Sequence, residues 1–108
     1  MIYEQRIYHA MPGRMPDLLK RFEQVTLPLW ERHGIRQAGF WTVIVGGSNH
    51  DLHYLLAWNS MAERDERWTA FSTDQEWLAQ REATERNGPL ISSLSNAFLQ
   101  PTAFSAVR

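Results

Sequence analysis

The spacing of apolar residues changes at Met11-Pro12-Gly13. Before this turn, residues 2–10 (IYEQRIYHA) are rich in β-branched and aromatic side chains, which predicts a strand. After it, apolar residues recur at spacings of three and four, which predicts a helix that ends at Gly34. The apolar face of this helix consists of Met15, Leu18, Leu19, Phe22, Val25 and Leu29. Pro28 cannot donate a hydrogen bond to the carbonyl of Gln24, so the helix is expected to kink or re-form there.

Two further apolar runs, at 39–45 and 52–58, flank the turn-forming segment GGSNHD, which predicts an antiparallel hairpin. Both runs carry large apolar side chains at odd and even positions alike. If only one face of the sheet were covered, every second residue would be polar. The pattern therefore predicts that both faces are buried, and the simplest way to bury the second face is a homodimer that packs sheet to sheet.

The second half of the chain predicts further helices and a last strand. Ser60 with Glu63 forms a capping box that begins a helix, and Thr73 with Glu76 repeats the pattern after a break. The inward residues of these helices are Met61, Trp68, Phe71, Trp77 and Leu78. The residues expected to face solvent are Arg64, Asp65, Glu66 and Arg67, with Arg67 paired to Glu63. Residues 92–100 alternate weakly and predict the fourth strand.

The resulting order is strand, helix, strand, strand, helix, strand. This order predicts a ferredoxin-like βαββαβ sandwich of the α+β class, with an antiparallel sheet and its helices on one face. A length of 108 residues predicts a single domain that spans residues 1–108.

Composition narrows the classes of function. Eleven Lys and Arg against twelve Asp and Glu leave a net charge of -1 without a basic cluster, so nucleic acid is not an expected partner. The lack of cysteine excludes disulfides and thiolate chemistry, and suits the cytoplasm. No window approaches the roughly 18 apolar residues of a membrane span, and MIYEQR is not followed by a targeting segment. No phosphate loop or serine elbow is present, and no cofactor is expected.

Several short segments resemble the NIPSNAP family. They are YEQRIY at 3–8, LPLWERHG at 27–34, GFWT at 39–42, AER at 62–64 and DQEW at 74–77. The resemblance covers essentially the whole chain. It implies a dimeric α+β barrel, in which the sheets of two ferredoxin-like units face each other, as the two-sided apolar strands also require. Proteins with this barrel include cofactor-free monooxygenases, haem-degrading enzymes and haem-dependent chlorite dismutases.

The chain departs from the family pattern at positions that bear on function. Many members have a His and a Trp on the third strand, where this chain has Tyr54 and Leu56. Many also have an Arg before a Pro near the end, where this chain has Gln100 before Pro101. Roles tied to that His or Arg are therefore not carried over. Animal members are mitochondrial and are implicated in vesicle handling and mitophagy signalling, but this location is not expected for a chain without their long N-terminal extension.

Glu4, Arg6 and Tyr8 lie two residues apart on the first predicted strand, so their side chains share a face. If that face lines a barrel pocket, Arg6 would hold a carboxylate or enolate and Tyr8 would donate a hydrogen bond. Glu4 would act as a base if burial raises its pKa. The expected walls of the pocket are Trp41, Tyr54 and Trp58. Such a pocket suits a flat or apolar ligand with an anionic group. The resemblance to the barrel fold of cofactor-free monooxygenases implies, beyond binding, a cofactor-independent, oxygenase-like reaction.

The same residues have a structural alternative. Glu4 and Arg6 could pair with each other, or with the second subunit, to neutralise buried charge. The protein would then be a non-catalytic dimer that acts as a scaffold or partner-binding module. The sequence leaves both alternatives open, together with the question of which side of strand 39–45 faces the barrel.

His50, Asp51 and His53 are residue types that bind metals, but no metal site is predicted here. In an extended strand, His53 shares a face with Asp51 and not with His50, which lies in the turn. Asp51 is expected to form local hydrogen bonds.

Overall fold

In the computed structural model, which describes residues 1–108, the chain forms a four-stranded antiparallel sheet with helices on one face. The strands are β1 (Ile2–Ala10), β2 (Arg36–Thr42), β3 (Asp51–Trp58) and β4 (Ile91–Leu99), in the spatial order β2-β3-β1-β4. The helices are α1 (Met15–Arg21), α2 (Leu27–His33), α3 (Met61–Ser72) and α4 (Gln75–Thr84). None of them combines the length and apolar character that crossing a membrane requires. The predicted ferredoxin-like α+β fold is confirmed.

Pro28 interrupts the first helical region, as its missing N–H predicts. A π-helical turn, Phe22–Thr26, joins α1 to α2, and the N–H of Leu27 donates to the carbonyl of Phe22. Pro28 then lies in the first turn of α2, where no N–H is needed. The additional residue of the π-helical turn rotates the following helix by about 100°. Trp30, which is not on the predicted apolar face, is buried, whereas Leu19 is 40% exposed.

The predicted hairpin of β2 and β3 is present, but β2 ends earlier than its apolar run. The strand stops at Thr42, and Ile44 and Val45 are 95% and 90% exposed in the connection that follows. The register of β2 against β3 also shifts between Gln37 and Gly39. The last apolar residues of the run therefore lie in an exposed loop and belong to neither face of the sheet.

The two predicted helix starts differ in accuracy. Ser60 caps α3 as predicted, and its hydroxyl accepts a hydrogen bond from the N–H of Glu63. The cap of α4 is Asp74 and not Thr73, since the Asp74 carboxylate accepts from the first N–H groups of that helix. The Thr73 hydroxyl donates to the carbonyl of Thr69 and so ends α3 instead. The helix break itself lies where it is predicted.

The helices cover the face of the sheet that carries the even-numbered residues of β1 and β3. The main core residues on this side are Leu52, Leu56 and Trp58 from β3, with Leu18, Phe22, Leu29, Trp30 and Phe71 from the helices. The opposite face has no helix over it. Its larger apolar side chains, all at least partly exposed, are Tyr3, Ile7, Trp41, Leu55 and Leu99. The chain by itself therefore leaves one sheet face uncovered.

Candidate functional site

Glu4, Arg6 and Tyr8 lie on the covered face of β1, as the two-residue period of a strand predicts. Because β1 is a central strand, its residues have neighbours on both sides. Arg6 lies opposite Tyr54 on β3 and opposite Asn96 on β4. The strand register therefore brings together side chains from three strands.

The Glu4 carboxylate, 0% exposed, is the centre of this group and accepts five hydrogen bonds. One oxygen accepts from Nε1 of Trp58 at 3.1 Å and Nε of Arg64 at 3.3 Å. The other accepts from Arg6 and Asn96, both at 2.9 Å, and from Arg64 at 3.4 Å. Burial raises the pKa of Glu4, but the hydrogen bonds from Asn96, Arg64 and Arg6 lower it by more, so the pKa lies below its ordinary value. A carboxylate held in its ionised form is a poor base, which argues against the base role considered for Glu4.

The Arg6 guanidinium has a partner at every nitrogen. Its Nε donates to the Tyr54 hydroxyl at 2.7 Å, Nη1 to Glu4 at 2.9 Å and Nη2 to the Tyr8 hydroxyl at 3.4 Å. The group also lies 4.5 Å above the ring of Trp68. Burial lowers the pKa of Arg6, but the phenol groups of Tyr54 and Tyr8 raise it by more. Arg6 is thus a permanent cation whose partners lie within the protein. This is the arrangement expected if Glu4 and Arg6 pair to neutralise buried charge and do not bind a ligand.

Trp41 is the predicted wall residue that the fold places away from the others. It lies opposite His53 and points to the uncovered sheet face, where it is 52% exposed. Its ring packs on Gly39, at which a Cβ would come within 2.5 Å of the ring. Trp41 and His53 border a surface depression of about 290 Å³, which Tyr54 also lines but Arg6 and Tyr8 do not.

A second cavity, called the edge cavity here, lies on the covered side between α3, α4 and the edge strand β4. It has a volume of about 220 Å³. Its walls are Tyr8, Arg21, Trp68, Phe71, Ser72, Trp77, Arg81, Glu85, Ile91 and Leu94. Leu94 is 42% exposed, so the cavity opens at the β4 edge. Tyr8 links the edge cavity to the Glu4 and Arg6 pair.

Arg21 is a wall residue of the edge cavity that is not among the predicted site residues. It is 5% exposed, and its guanidinium lies 5.4 Å from the ring centre of Trp77. Nη1 is 3.5 Å from the Thr84 hydroxyl and 3.8 Å from the Glu85 carboxylate, and Nε has no hydrogen-bond partner. Burial lowers the pKa of Arg21, because the charged form is poorly solvated there.

Arg21 and Arg64 share a signal in the sequence. Arg64 is predicted to face solvent, but it contacts the buried carboxylate of Glu4. Arg21 lies three residues after Leu18, and Arg64 lies four residues before Trp68, both of which pack in or against the core. Met61, predicted to face inward, is 43% exposed. A cation within an apolar stripe at helical spacing is therefore the pattern that could have identified both.

The histidines around the β2–β3 turn do not converge. Asp51 lies 2.6 Å from Nδ1 of His9 on the neighbouring strand, a longer-range contact than the predicted local hydrogen bond. The backbone N–H of His50 donates to the Ser48 hydroxyl. No group of three or more His, Cys, Asp or Glu side chains is arranged to hold a metal ion.

Comparison with known proteins gives a consistent family. A family model described as NIPSNAP matches residues 3–106. A NIPSNAP family protein from Agrobacterium tumefaciens has a TM-score of 0.87 at 27% identity, covering 99% of this chain and 98% of its own. An uncharacterized NIPSNAP domain protein from Burkholderia xenovorans has a TM-score of 0.84 at 25% identity, covering 97% and 98%. A mutant of MhuD, with two manganese protoporphyrin IX molecules bound per active site, shares the fold at TM-score 0.60 and 18% identity, covering 97% and 98%. Among curated proteins, none matches.

Proposed function

Because the chain belongs to the NIPSNAP family, as its sequence motifs predict, we propose that it binds a small apolar or aromatic molecule with an anionic group. The observation that carries the proposal is the edge cavity, which combines aromatic walls with a buried arginine. Its volume of about 220 Å³ is below the roughly 300–1,000 Å³ of pockets for drug-sized ligands. The proposed ligand is accordingly a molecule of one or two rings.

In this proposal Tyr8 contacts the ligand and the residues behind it hold Tyr8 in place. The Tyr8 hydroxyl accepts from Arg6, which is itself held by Glu4 and Tyr54. Trp58 completes the rear of this site as a donor to Glu4. A cofactor-independent, oxygenase-like reaction would extend the proposal from binding to catalysis, and it would need a base other than Glu4.

A haem is not part of the proposed site. MhuD holds manganese protoporphyrin IX in its active site, and it shares the fold of this chain. The side chains that line the edge cavity, however, include no histidine and no cysteine. The cavity walls therefore offer a haem iron neither an imidazole nor a thiolate ligand, and the phenol oxygen of Tyr8 already accepts a hydrogen bond from Arg6.

We also propose that the protein is a homodimer formed through the uncovered sheet face. We propose that it is located in the cytoplasm, which suits a chain without cysteine. Apolar side chains grouped on an uncovered sheet face are typical of interfaces. We expect a dimer by size-exclusion chromatography with light scattering, and a monomer for Leu55→Glu on that face. Leu78→Glu is the matched control and should leave the dimer intact, since Leu78, which is predicted to face inward, is 40% exposed on α4. A monomeric wild-type protein would contradict the dimer.

A non-catalytic scaffold is the second candidate function. It is supported by the pairing of Glu4 and Arg6 with each other, and by apolar side chains that lie outside the core. Ile44, Val45 and Phe104 are 95%, 90% and 89% exposed. In this alternative these side chains bind a partner protein, and the edge cavity has no ligand.

Native mass spectrometry of protein purified from its own cells separates the two candidates. Ligand binding predicts a recurring small-molecule adduct on the wild-type protein. The adduct should be lost from Leu94→Trp, which fills the mouth of the edge cavity, and kept by Leu78→Trp on the outside of α4. A wild-type protein without an adduct would favour the scaffold.

A further inference from the structure

Arg21 and Arg81 share one carboxylate at the wall of the edge cavity. One oxygen of Glu85 is 3.8 Å from Nη1 of Arg21, and the other is 3.4 Å from Nε of Arg81. Glu85 is the residue that ends α4, and its side chain is 23% exposed. Two cations therefore face a single anion, which leaves this part of the cavity wall with a net positive charge.

The contacts of Arg21 are weak for a buried guanidinium. Its two polar contacts, to Thr84 and Glu85, are at 3.5 and 3.8 Å, and Nε has no partner. A buried charged group that lacks good hydrogen bonds is costly, so additional partners are strongly favoured. Because Arg21 is a wall residue of the edge cavity, a ligand there can supply them.

We propose that Arg21, assisted by Arg81, holds the anionic group of the ligand, and that Glu85 is an internal counter-ion which the ligand displaces. This inference rests on the proposed binding function, and it assigns anion recognition to Arg21 instead of Arg6. Arg6 has no nitrogen left without a partner, whereas Nη1 is the only nitrogen of Arg21 that has polar contacts. The flanking rings of Trp68, Phe71 and Trp77 suit an aromatic ring system. The ligand class is thus a planar aromatic carboxylate.

The test compares 1-naphthoate with its uncharged counterpart 1-naphthamide by isothermal titration calorimetry on the full chain. Arg21→Gln should weaken binding of 1-naphthoate about tenfold or more, since charge-assisted hydrogen bonds are lost, and leave binding of 1-naphthamide almost unchanged. Glu85→Gln should strengthen binding of 1-naphthoate about threefold, because the competing carboxylate is removed. Arg32→Gln, at an arginine whose side chain is 55% exposed, is the control and should change neither.

The outcomes distinguish a failure of the inference from a failure of the proposed function. Equal binding of the two probes, or wild-type affinity of Arg21→Gln for 1-naphthoate, overturns the inference and leaves the edge cavity as a binding site. If Arg21→Gln does not fold, Glu85→Gln decides, and an unchanged or weaker affinity for 1-naphthoate overturns the inference. Binding of neither probe also overturns it, and the proposed function fails as well if native mass spectrometry shows no adduct.

Discussion

Arg6 on β1 and Arg21 at the end of α1 are both 5% exposed, yet their surroundings are opposite. Arg6 has a partner at each nitrogen, and its pKa is raised. Arg21 has an unpartnered Nε and distant contacts, and its pKa is lowered by burial. Two partners of Arg6 lie on its own strand and the third, Tyr54, lies on the adjacent strand, so the strand period and register fix their distances. The partners of Arg21 lie at the end of a helix. One buried cation is therefore paired within the protein at every nitrogen, and the other retains hydrogen-bond donors without a partner.

The largest effect is expected at Glu4, which neutralises the cations around it. Glu4→Gln keeps the shape of the side chain but leaves Arg6 and Arg64 without their buried counter-ion. Breaking a buried ion pair on one side costs about 3 kcal/mol or more of unfolding free energy. Urea unfolding followed by circular dichroism measures the loss. Glu82→Gln, at an exposed position of α4, is the control. If Glu4→Gln lowers the unfolding free energy by less than about 1 kcal/mol, the central role of Glu4 is contradicted.

Substitution of the two buried arginines by glutamine tests the comparison directly. Arg6→Gln removes three hydrogen bonds and should cost about 2 to 3 kcal/mol of unfolding free energy. Arg21→Gln removes only weak contacts and relieves a poorly solvated charge, so about 1 kcal/mol or less is expected. Urea unfolding of both variants under identical conditions gives the two values. Equal losses would mean that Arg21 is as firmly bound within the protein as Arg6.

A smaller effect is expected from acid. The pKa of Glu4 in the folded protein lies below its ordinary value of 4.5, so the folded state binds fewer protons than the unfolded state in this range. The stabilisation by ionised Glu4 is complete above pH 4.5 and is lost as pH falls through the lower folded pKa. The hydrogen bond from His33 also lowers the pKa of Asp74. The dependence of wild-type stability on pH therefore contains contributions from both Glu4 and Asp74.

The difference between wild type and Glu4→Gln isolates the Glu4 contribution. Unfolding free energies from urea titrations between neutral and acidic pH should show this difference shrinking below pH 4.5. A difference that stays constant into strong acid would mean that the Glu4 pKa is not shifted by folding.

The smallest effect is expected at Arg32, which pairs with Glu76 on the exposed surface. Ion pairs between solvated side chains contribute little, because water and salt screen the charges. Arg32→Gln should therefore leave the melting temperature unchanged within error in a circular dichroism experiment. A loss of stability comparable with that of Arg6→Gln would show that the contribution of an arginine to stability depends on its ion pair and not on its burial.

Local patterns predict much of this protein. The order of strands and helices, the start of α3 at Ser60 and the interruption at Pro28 follow from periodicity, caps and backbone chemistry, which involve residues close in sequence. The period of a strand likewise places Glu4, Arg6 and Tyr8 on one face. The sequence could also have indicated Arg21 and Arg64, as cations within apolar helical stripes, but without their partners.

Only the tertiary structure decides which of these faces meet. Arg64 and Asn96 are 60 and 92 positions from Glu4 in the chain, so no local pattern could predict that they bind its carboxylate. Trp41 lies on the opposite side of the sheet because a face depends on the register of two strands, and periodicity within each strand does not determine it. The edge cavity exists because the helices leave β4 partly uncovered, which depends on how helices pack across the whole sheet. The sequence by itself determined the elements and the face of β1, and long-range packing determined the site.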